Sequence, residues 1–327
     1  MIVERRSGGN IFSLLVFLSC LLGPPAALAQ SREKVFITAT NAEDVTSTLF
    51  LYGIEKGLFR GEGIDLEFRL LPPNLALAAL VAKEIDYAST VGSPFRAAVR
   101  GFPVKVVAVG LDKPLFYIMA QPAIQSVKDL KGAKFAVSSL QGSGARSARA
   151  GLQTLGLHPD KDLTFIVIGN SATRMLAMET GSVQATVVPA PDNFRLREKG
   201  FREMMFTGRY ITEPFVGIAA TREKVEASPG QVKKVTKGFL RSLGAAKRER
   251  KEMIEFLMRR FKFKQENAVE IYETLLQSFT RDGTVEPAAL KEYLDLIKAE
   301  ARVQKEIAVS DIVDFRLLRE AARELER

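Results

Sequence analysis

Tryptophan is absent from the 327 residues, and cysteine and histidine occur once each, as Cys20 and His158. These shortages narrow the chemistry. Structural and catalytic zinc or copper sites draw on several histidine and cysteine ligands, and the chain has no material for one. Nucleophilic catalysis through a Ser–His or Cys–His couple would have to run through His158. That residue sits in Gly156-Leu157-His158-Pro159-Asp160, a turn-rich context that reads as a surface loop rather than a catalytic base. No G-x-S-x-G elbow and no G-x-x-x-x-G-K-[ST] loop occurs, so neither an α/β-hydrolase nor a P-loop NTPase is supported. Paired acids such as Glu43 and Asp44 could serve acid–base chemistry, but this pair reads as part of a polar loop.

Long apolar runs are scarce too. Residues 11–22 (IFSLLVFLSCLL) form the one candidate, and it is too short to span a bilayer comfortably. Arg5 and Arg6 precede it, Gly23-Pro24-Pro25 breaks it, and Ala27-Leu28-Ala29 supplies small residues. This is the pattern of a secretory signal peptide, with cleavage expected after Ala29. Lipoprotein anchoring at Cys20 fits less well, because the apolar run continues through Leu21-Leu22. Cleavage would leave residues 30–327 without a cysteine. An exported chain without disulfides must be held by its core, and this length permits a large one, with two lobes expected rather than one.

Acidic residues are outnumbered, 38 against 47 Lys plus Arg, for a net charge of +9. The excess concentrates in residues 222–264, which hold 14 basic and 5 acidic side chains. A nucleic-acid surface would interleave such charge with stacking aromatics. Phe239, Phe256, Phe261 and Phe263 instead fall at helical spacing and read as core. The basic run is therefore expected to be a solvated helical face, with no nucleic-acid partner.

What is present is a regular alternation. Residues 35–40 (VFITAT), 64–71, 87–90 and 104–109 (VKVVAV) read as strands, and 48–56, 75–83 and 94–100 between them as helices. The rhythm resumes with strands at 134–138, 163–168 and 185–188, and the chain from 231 onward is nearly all helical. Such βαβ alternation implies parallel sheets flanked by helices. Two further apolar runs, 116–120 (FYIMA) and 215–220 (FVGIAA), bracket the middle block and read as strands that carry the chain to a second lobe and back. Two such connections make a hinge, with a ligand at the strand C-terminal ends facing the cleft.

Residues 138–149 (SSLQGSGARSAR) then stand out. They follow the strand Phe135-Ala136-Val137 and lead into a helix, an arrangement that cradles anions with backbone N–H groups. Gly142-Ser143-Gly144-Ala145-Arg146-Ser147 misses the dinucleotide fingerprint at its third glycine. Four stretches carry a resemblance: "YGIEKGLFRGEGIDLEF" (52–68), "ALVAKEIDYASTVGSPFRAAVRGFPVKVVAVG" (79–110), "SVKDLKGAKFAVSSLQGSGAR" (126–146) and "MLAMETGSVQATVVPAP" (175–191). In this order they resemble the solute-binding proteins of ABC importers with the type II periplasmic binding fold, in the group that binds nitrate, sulfonates, taurine and thiamine-pyrimidine precursors.

The resemblance implies lobe 1 at residues 30–118 and 214–327, lobe 2 at 119–213, and a ligand held by the loops after the strands of both lobes. On this sequence those loops offer Asn41, Ser47, Ser89, Thr90, Gly92, Ser93, Ser138, Gly142, Ser143, Gly144, Asn170, Ser171 and Pro189. Either Arg146 or Arg174 is placed to pair with an anionic group. It further implies a monomer, no cofactor, an inner-membrane permease as partner, and binding rather than catalysis. Binding of a pyrimidine precursor, a related enzyme on the same fold and a ligand-sensing subunit are the alternatives. The chain departs from the family in lacking tryptophan and in carrying Val188-Pro189-Ala190-Pro191 where relatives often place an aromatic and an acid. Tyr52, Phe95, Phe116 or Phe194 would have to supply any stacking.

Overall fold

A computed structural model of the chain describes residues 32–39, 45–71 and 73–326. The expected leader with Cys20, the candidate Asn41 and the Glu43-Asp44 pair lie outside these residues. Ten strands are described: β1 (Glu33–Ala39), β2 (Ile64–Leu70), β3 (Ala88–Thr90), β4 (Val104–Leu111), β5 (Phe116–Ala120), β6 (Lys134–Val137), β7 (Thr164–Val167), β8 (Ala185–Pro189), β9 (Arg202–Phe206) and β10 (Val216–Thr221). The expected strands are all found within a few residues. β9 is additional, because Arg-Glu-Met-Met-Phe shows no alternation of apolar and polar residues.

The strands form two arrays of the same order. β1 pairs parallel with β2, and β10 lies antiparallel between β3 and β4. A parallel bridge between Ile37 and Tyr87 joins β1 to the start of β3, which gives β2-β1-β3-β10-β4. The other sheet runs β7-β6-β8-β5-β9, the same arrangement. The sheets are thus parallel over three strands and mixed at the fourth. The cause is the path of the chain. β4 ends at Leu111 and β5 begins at Phe116, so the chain leaves one sheet at its strand C-termini and enters the other at the same end, running backwards. β9 and β10 repeat the manoeuvre in return. Both sheets therefore present their parallel strand C-termini to the same place.

Helices cover the sheet faces. β4 is buried along nearly its whole length, as a strand covered on both sides must be. The helix Pro229–Arg248 buries Val232, Val235, Phe239, Leu243 and Ala246 along one stripe, the spacing of a core-facing helix. Phe239 packs against Phe50 with centroids 5.0 Å apart. The basic residues of this helix face outward to acids: Lys233 to Glu324, Lys234 to Glu33, and Arg241 to Glu62 at 2.8 Å. That is the solvated face expected of the run. Phe239, Phe256 and Phe261 are buried, and Phe263 packs against the same core.

One apolar cluster runs from Ile37 on β1 through Phe239 and Tyr272 to Tyr117, Val188 and Phe206 of the five-stranded sheet. The helix Gln265–Ser278 is the bridge, and the Tyr117 hydroxyl donates to Thr274 Oγ1 at 3.1 Å. Gly217 on β10 allows the closest strand approach: a Cβ there would lie 2.0 Å from the Ala108 carbonyl oxygen. Gly217→Ala is expected to destabilise the protein by about 1–3 kcal/mol. Gly230→Ala, which meets open space in a helix first turn, is expected to leave stability unchanged or raise it by up to about 1 kcal/mol. Urea unfolding of the two variants checks the contrast.

Candidate functional site

A cavity of about 940 Å³ lies where the two sheets present their strand C-termini. Four helices start at its wall: Gly92–Val99 after β3, Ser143–Thr154 after β6, Ser171–Glu179 after β7 and Asp192–Glu198 after β8. Leu115, Phe116 and Phe215, from the segments that cross between the sheets, form an apolar side. The Phe116 and Phe215 rings meet edge to face, 5.8 Å between centroids.

Nine of the expected residues line this cavity: Thr90, Gly92, Ser93, Ser138, Ser143, Gly144, Asn170, Ser171 and Pro189. Local geometry explains why several hydroxyls are presented there rather than spent on capping. The helices Gly92–Val99 and Ser143–Thr154 have no side-chain cap. Asn170 caps the third, its side chain accepting from the Thr173 N–H at 2.9 Å. Ser93 and Ser143 accept from Arg96 at 3.0 Å and Arg146 at 3.1 Å, each one helical turn on. Ser171 donates to Asp192.

The other expected residues stand elsewhere. Ser47 and Ser89 are buried behind the wall; the Ser89 N–H donates to Thr38 Oγ1 at 3.2 Å, which ties β3 to β1. Gly142 faces a smaller cavity of about 300 Å³. Of the four aromatics expected to be available for stacking, Phe116 reaches the wall; Tyr52, Phe95 and Phe194 are core, and Tyr52 donates to Glu249.

The fold separates the two arginines that the sequence left as equals. Arg146 is 6 % exposed and turned away from the main cavity. It donates to Glu213 Oε2 through Nε at 3.2 Å and Nη2 at 3.0 Å, and to the Gln141 carbonyl at 2.7 Å. Tyr293 and Glu300 stand beside it at 3.4 and 3.7 Å. Burial works against its charge, but Glu213, with Tyr293 and Glu300, more than offsets that and holds the pKa above its ordinary value. Glu213 belongs to the return crossing, and Tyr293 and Glu300 to the helix Pro287–Ala301. Arg146 thus fastens the glycine–serine helix to the crossing segment and to the other sheet's helical layer. Its physical role here is to position the helix start.

Arg174 does line the cavity. It is 5 % exposed, and it donates to carbonyl oxygens: Gly169 at 2.7 Å, Val187 at 3.3 Å and Ile168 at 3.4 Å. Among the described residues no carboxylate pairs with it. Burial pushes its pKa below the ordinary arginine value, and the nearby Asp192 opposes this only in part. Asp192 is engaged on both oxygens, with Ser171 on one and Arg195 at 3.0 Å on the other. Arg96 and Arg195 also line the cavity. Three guanidinium groups and one carboxylate therefore charge the described lining. Arg96, Arg195, Asp192 and Phe215 were not anticipated, because an arginine within a helical pattern gives no sign of which way it faces.

The family model for NMT1/THI5-like proteins matches residues 45–252, which include most of these cavity residues. The chain belongs to that family. Its fold is that of periplasmic binding proteins. The sulfonate-binding protein SsuA of Methylobacillus flagellatus is similar over 90% of this chain and 96% of its own, at 18% identity and a TM-score of 0.70. The nitrate-binding protein NrtA of Synechocystis PCC 6803 is similar over 90% of this chain and 89% of its own, at 16% identity and 0.66. The desulfurization enzyme DSZB shares the fold over 90% of this chain and 100% of its own, at 14% identity and 0.65. No curated protein sequence matches the chain.

Within this family member, the Arg146–Glu213 pair is buried deeply enough to test alone. Removing one partner leaves the other charge stranded, at a cost of about 3–5 kcal/mol. Arg146→Met and Glu213→Gln are each expected to show that loss in denaturant unfolding. The double variant is expected to lose far less than the two combined. Additive losses would show that the pair is not coupled.

Proposed function

We propose that this protein is the extracytoplasmic binding component of an ABC importer and that it holds a small organic anion between two lobes. The observation that carries the reading is Arg174. A guanidinium that is buried at a cavity wall, with no paired carboxylate among the described residues, is costly until an anion reaches it. A bound anion would supply that charge and gain charge-assisted hydrogen bonds. The helix starts at the wall add N–H groups and favourable dipoles. Phe116, Phe215 and Leu115 suit an apolar body behind the anionic head. The sulfonate- and nitrate-binding neighbours support the same class of solute.

The lobes in this reading are residues 30–118 with 214–327, and residues 119–213. The hinge is the pair of crossings at 112–115 and 207–215. A ligand that touches both lobes binds the closed arrangement better than the open one and shifts the population toward it by that difference. Export with cleavage after Ala29, action as a monomer and delivery to an inner-membrane permease complete the proposal. Binding rather than turnover is supported by a lining rich in hydroxyl, amide and guanidinium groups, with its described carboxylate already engaged by Ser171 and Arg195.

Arg174→Gln tests this directly. The variant is expected to fold with little change in unliganded stability, since the removed charge has no paired acid among the described residues and the glutamine amide can still donate to the carbonyl oxygens. Its affinity for an anionic solute is expected to fall by about 30-fold or more, as read by calorimetric titration. Unaltered affinity would remove Arg174 from the site. Small-angle scattering of the unsubstituted protein is expected to show compaction at saturating solute, and an unchanged radius would remove the hinge.

A further inference from the structure

Arg96 is the second basic group whose environment points to a ligand. It lies on the helix Gly92–Val99, which follows β3, whereas Arg174 lies on the helix Ser171–Glu179, which follows β7. The two guanidinium groups therefore reach the main cavity from the helical layers of different sheets. Arg96 Nη2 donates to Ser93 Oγ at 3.0 Å. Its Nη1 is buried and has no hydrogen bond of ordinary geometry; the neighbouring hydroxyl is that of Tyr293, which carries no charge to offset the guanidinium. Among the described residues no carboxylate forms an ion pair with it. Arg96 also lines the smaller cavity of about 300 Å³, together with Arg100, Gln141 and Glu300. Glu300 is directed at Arg146, 3.7 Å away, so the acid present there is already engaged.

The size of the main cavity makes the same point from a different direction. About 940 Å³ is the upper end of the range of pockets that enclose a drug-sized molecule. A nitrate or a taurine would leave most of it to water. It also has a charged place at each side and an apolar stretch, Leu115, Phe116 and Phe215, contributed by the crossing segments. A donor that is buried without an acceptor costs stability until one is supplied, which is the position of Arg96 Nη1; Arg174 is a buried cation whose partners are carbonyl oxygens and, among the described residues, no paired carboxylate.

We infer that the solute is an extended organic dianion: one anionic group on Arg174, the second on Arg96 with Ser93, and an apolar spacer against Phe116 and Phe215. This rests on the anion-binding reading above and narrows it. It also gives the hinge its ligand contacts, because a two-headed solute bridges the helical layers of both sheets where a single oxyanion would engage one. The class is set by the chemistry of the site, two carboxylates or two sulfonates on an aliphatic or aryl spacer.

Matched pairs of probes separate the possibilities: benzoate against terephthalate, benzenesulfonate against meta-benzenedisulfonate, and butyrate against adipate. Each is titrated calorimetrically into the unsubstituted protein and into Arg96→Gln, with melting curves to confirm that the variant is folded. The expected result is that at least one dianion binds about tenfold or more tightly than its monoanion. In Arg96→Gln the ratio of the two affinities is expected to fall to about one. Equal affinity within every pair, or a ratio that survives Arg96→Gln, would overturn the dianion inference and leave single-anion binding standing. Absence of binding by every probe, monoanion and dianion alike, would overturn both. Should Arg96→Gln fail to fold, Ser93→Ala replaces it, with a reduced ratio expected and an unchanged ratio contradicting the assignment.

Discussion

β5 and β10 each enter a sheet as its fourth strand, antiparallel to their neighbours, after a crossing of only a few residues. Most of the architecture depends on that constraint. A short crossing leaves no room for the chain to travel to the far end of the next sheet, so it must enter at the end that faces the sheet it left. The strand C-termini of both arrays are then obliged to face one another. Helices that follow those strands begin at the same place, and the space between them becomes the cavity. Gly217, with the Ala108 carbonyl pressed against its Cα, shows how tightly the returning strand is seated.

Electrostatics divides the cavity's surroundings into two kinds of arginine. Arg146 has its acid built in, and its buried pair with Glu213 draws on a crossing segment and the helix Pro287–Ala301 to hold a helix start in place. Arg174 and Arg96 have no such acid among the described residues. A folded chain tolerates buried guanidinium groups of this kind where hydroxyl and carbonyl oxygens carry part of the load, and Ser93 and the Gly169 and Val187 carbonyls do so here. On the proposed reading the remaining demand is for an anion, and the cost of keeping these charges is offset when solute arrives, which is how a binding site would differ from a structural ion pair made of the same residues.

The fold was largely legible in the sequence because its signals are local. Alternation in IDLEFRL, the unbroken VKVVAV and the glycines that end helices each report on a few neighbouring residues. Even the two crossings could be read, as apolar runs out of step with the βα rhythm. β9 escaped because REMMF has neither alternation nor a β-branched run, and it becomes a strand through pairing with β5. The antiparallel fourth strand was not legible either, since direction is a property of the path and not of any segment. At the site, hydroxyls beside glycines at strand ends placed nine residues at the wall. The arginines were harder. Arg146 meets Glu213 across 67 positions, and nothing near either residue records the other. Arg96 looks like a surface residue within SPFRAAVR until the helix Pro287–Ala301 packs against its helix, with Tyr293 on the Phe95 ring and beside the guanidinium.

The central claim is that the cavity is built for an anionic solute and carries it unchanged. The most direct test is thermal unfolding of the chain from residue 30 onward against sulfonates, nitrate, carboxylates, phosphates, pyrimidines and nucleotides. A ligand that binds only the native state must raise the midpoint by mass action. The account predicts a clear rise with organic carboxylates or sulfonates, recovery of the same compound unaltered, and no rise with neutral pyrimidines. A rise confined to pyrimidines or nucleotides, or conversion of the compound that binds, would contradict it.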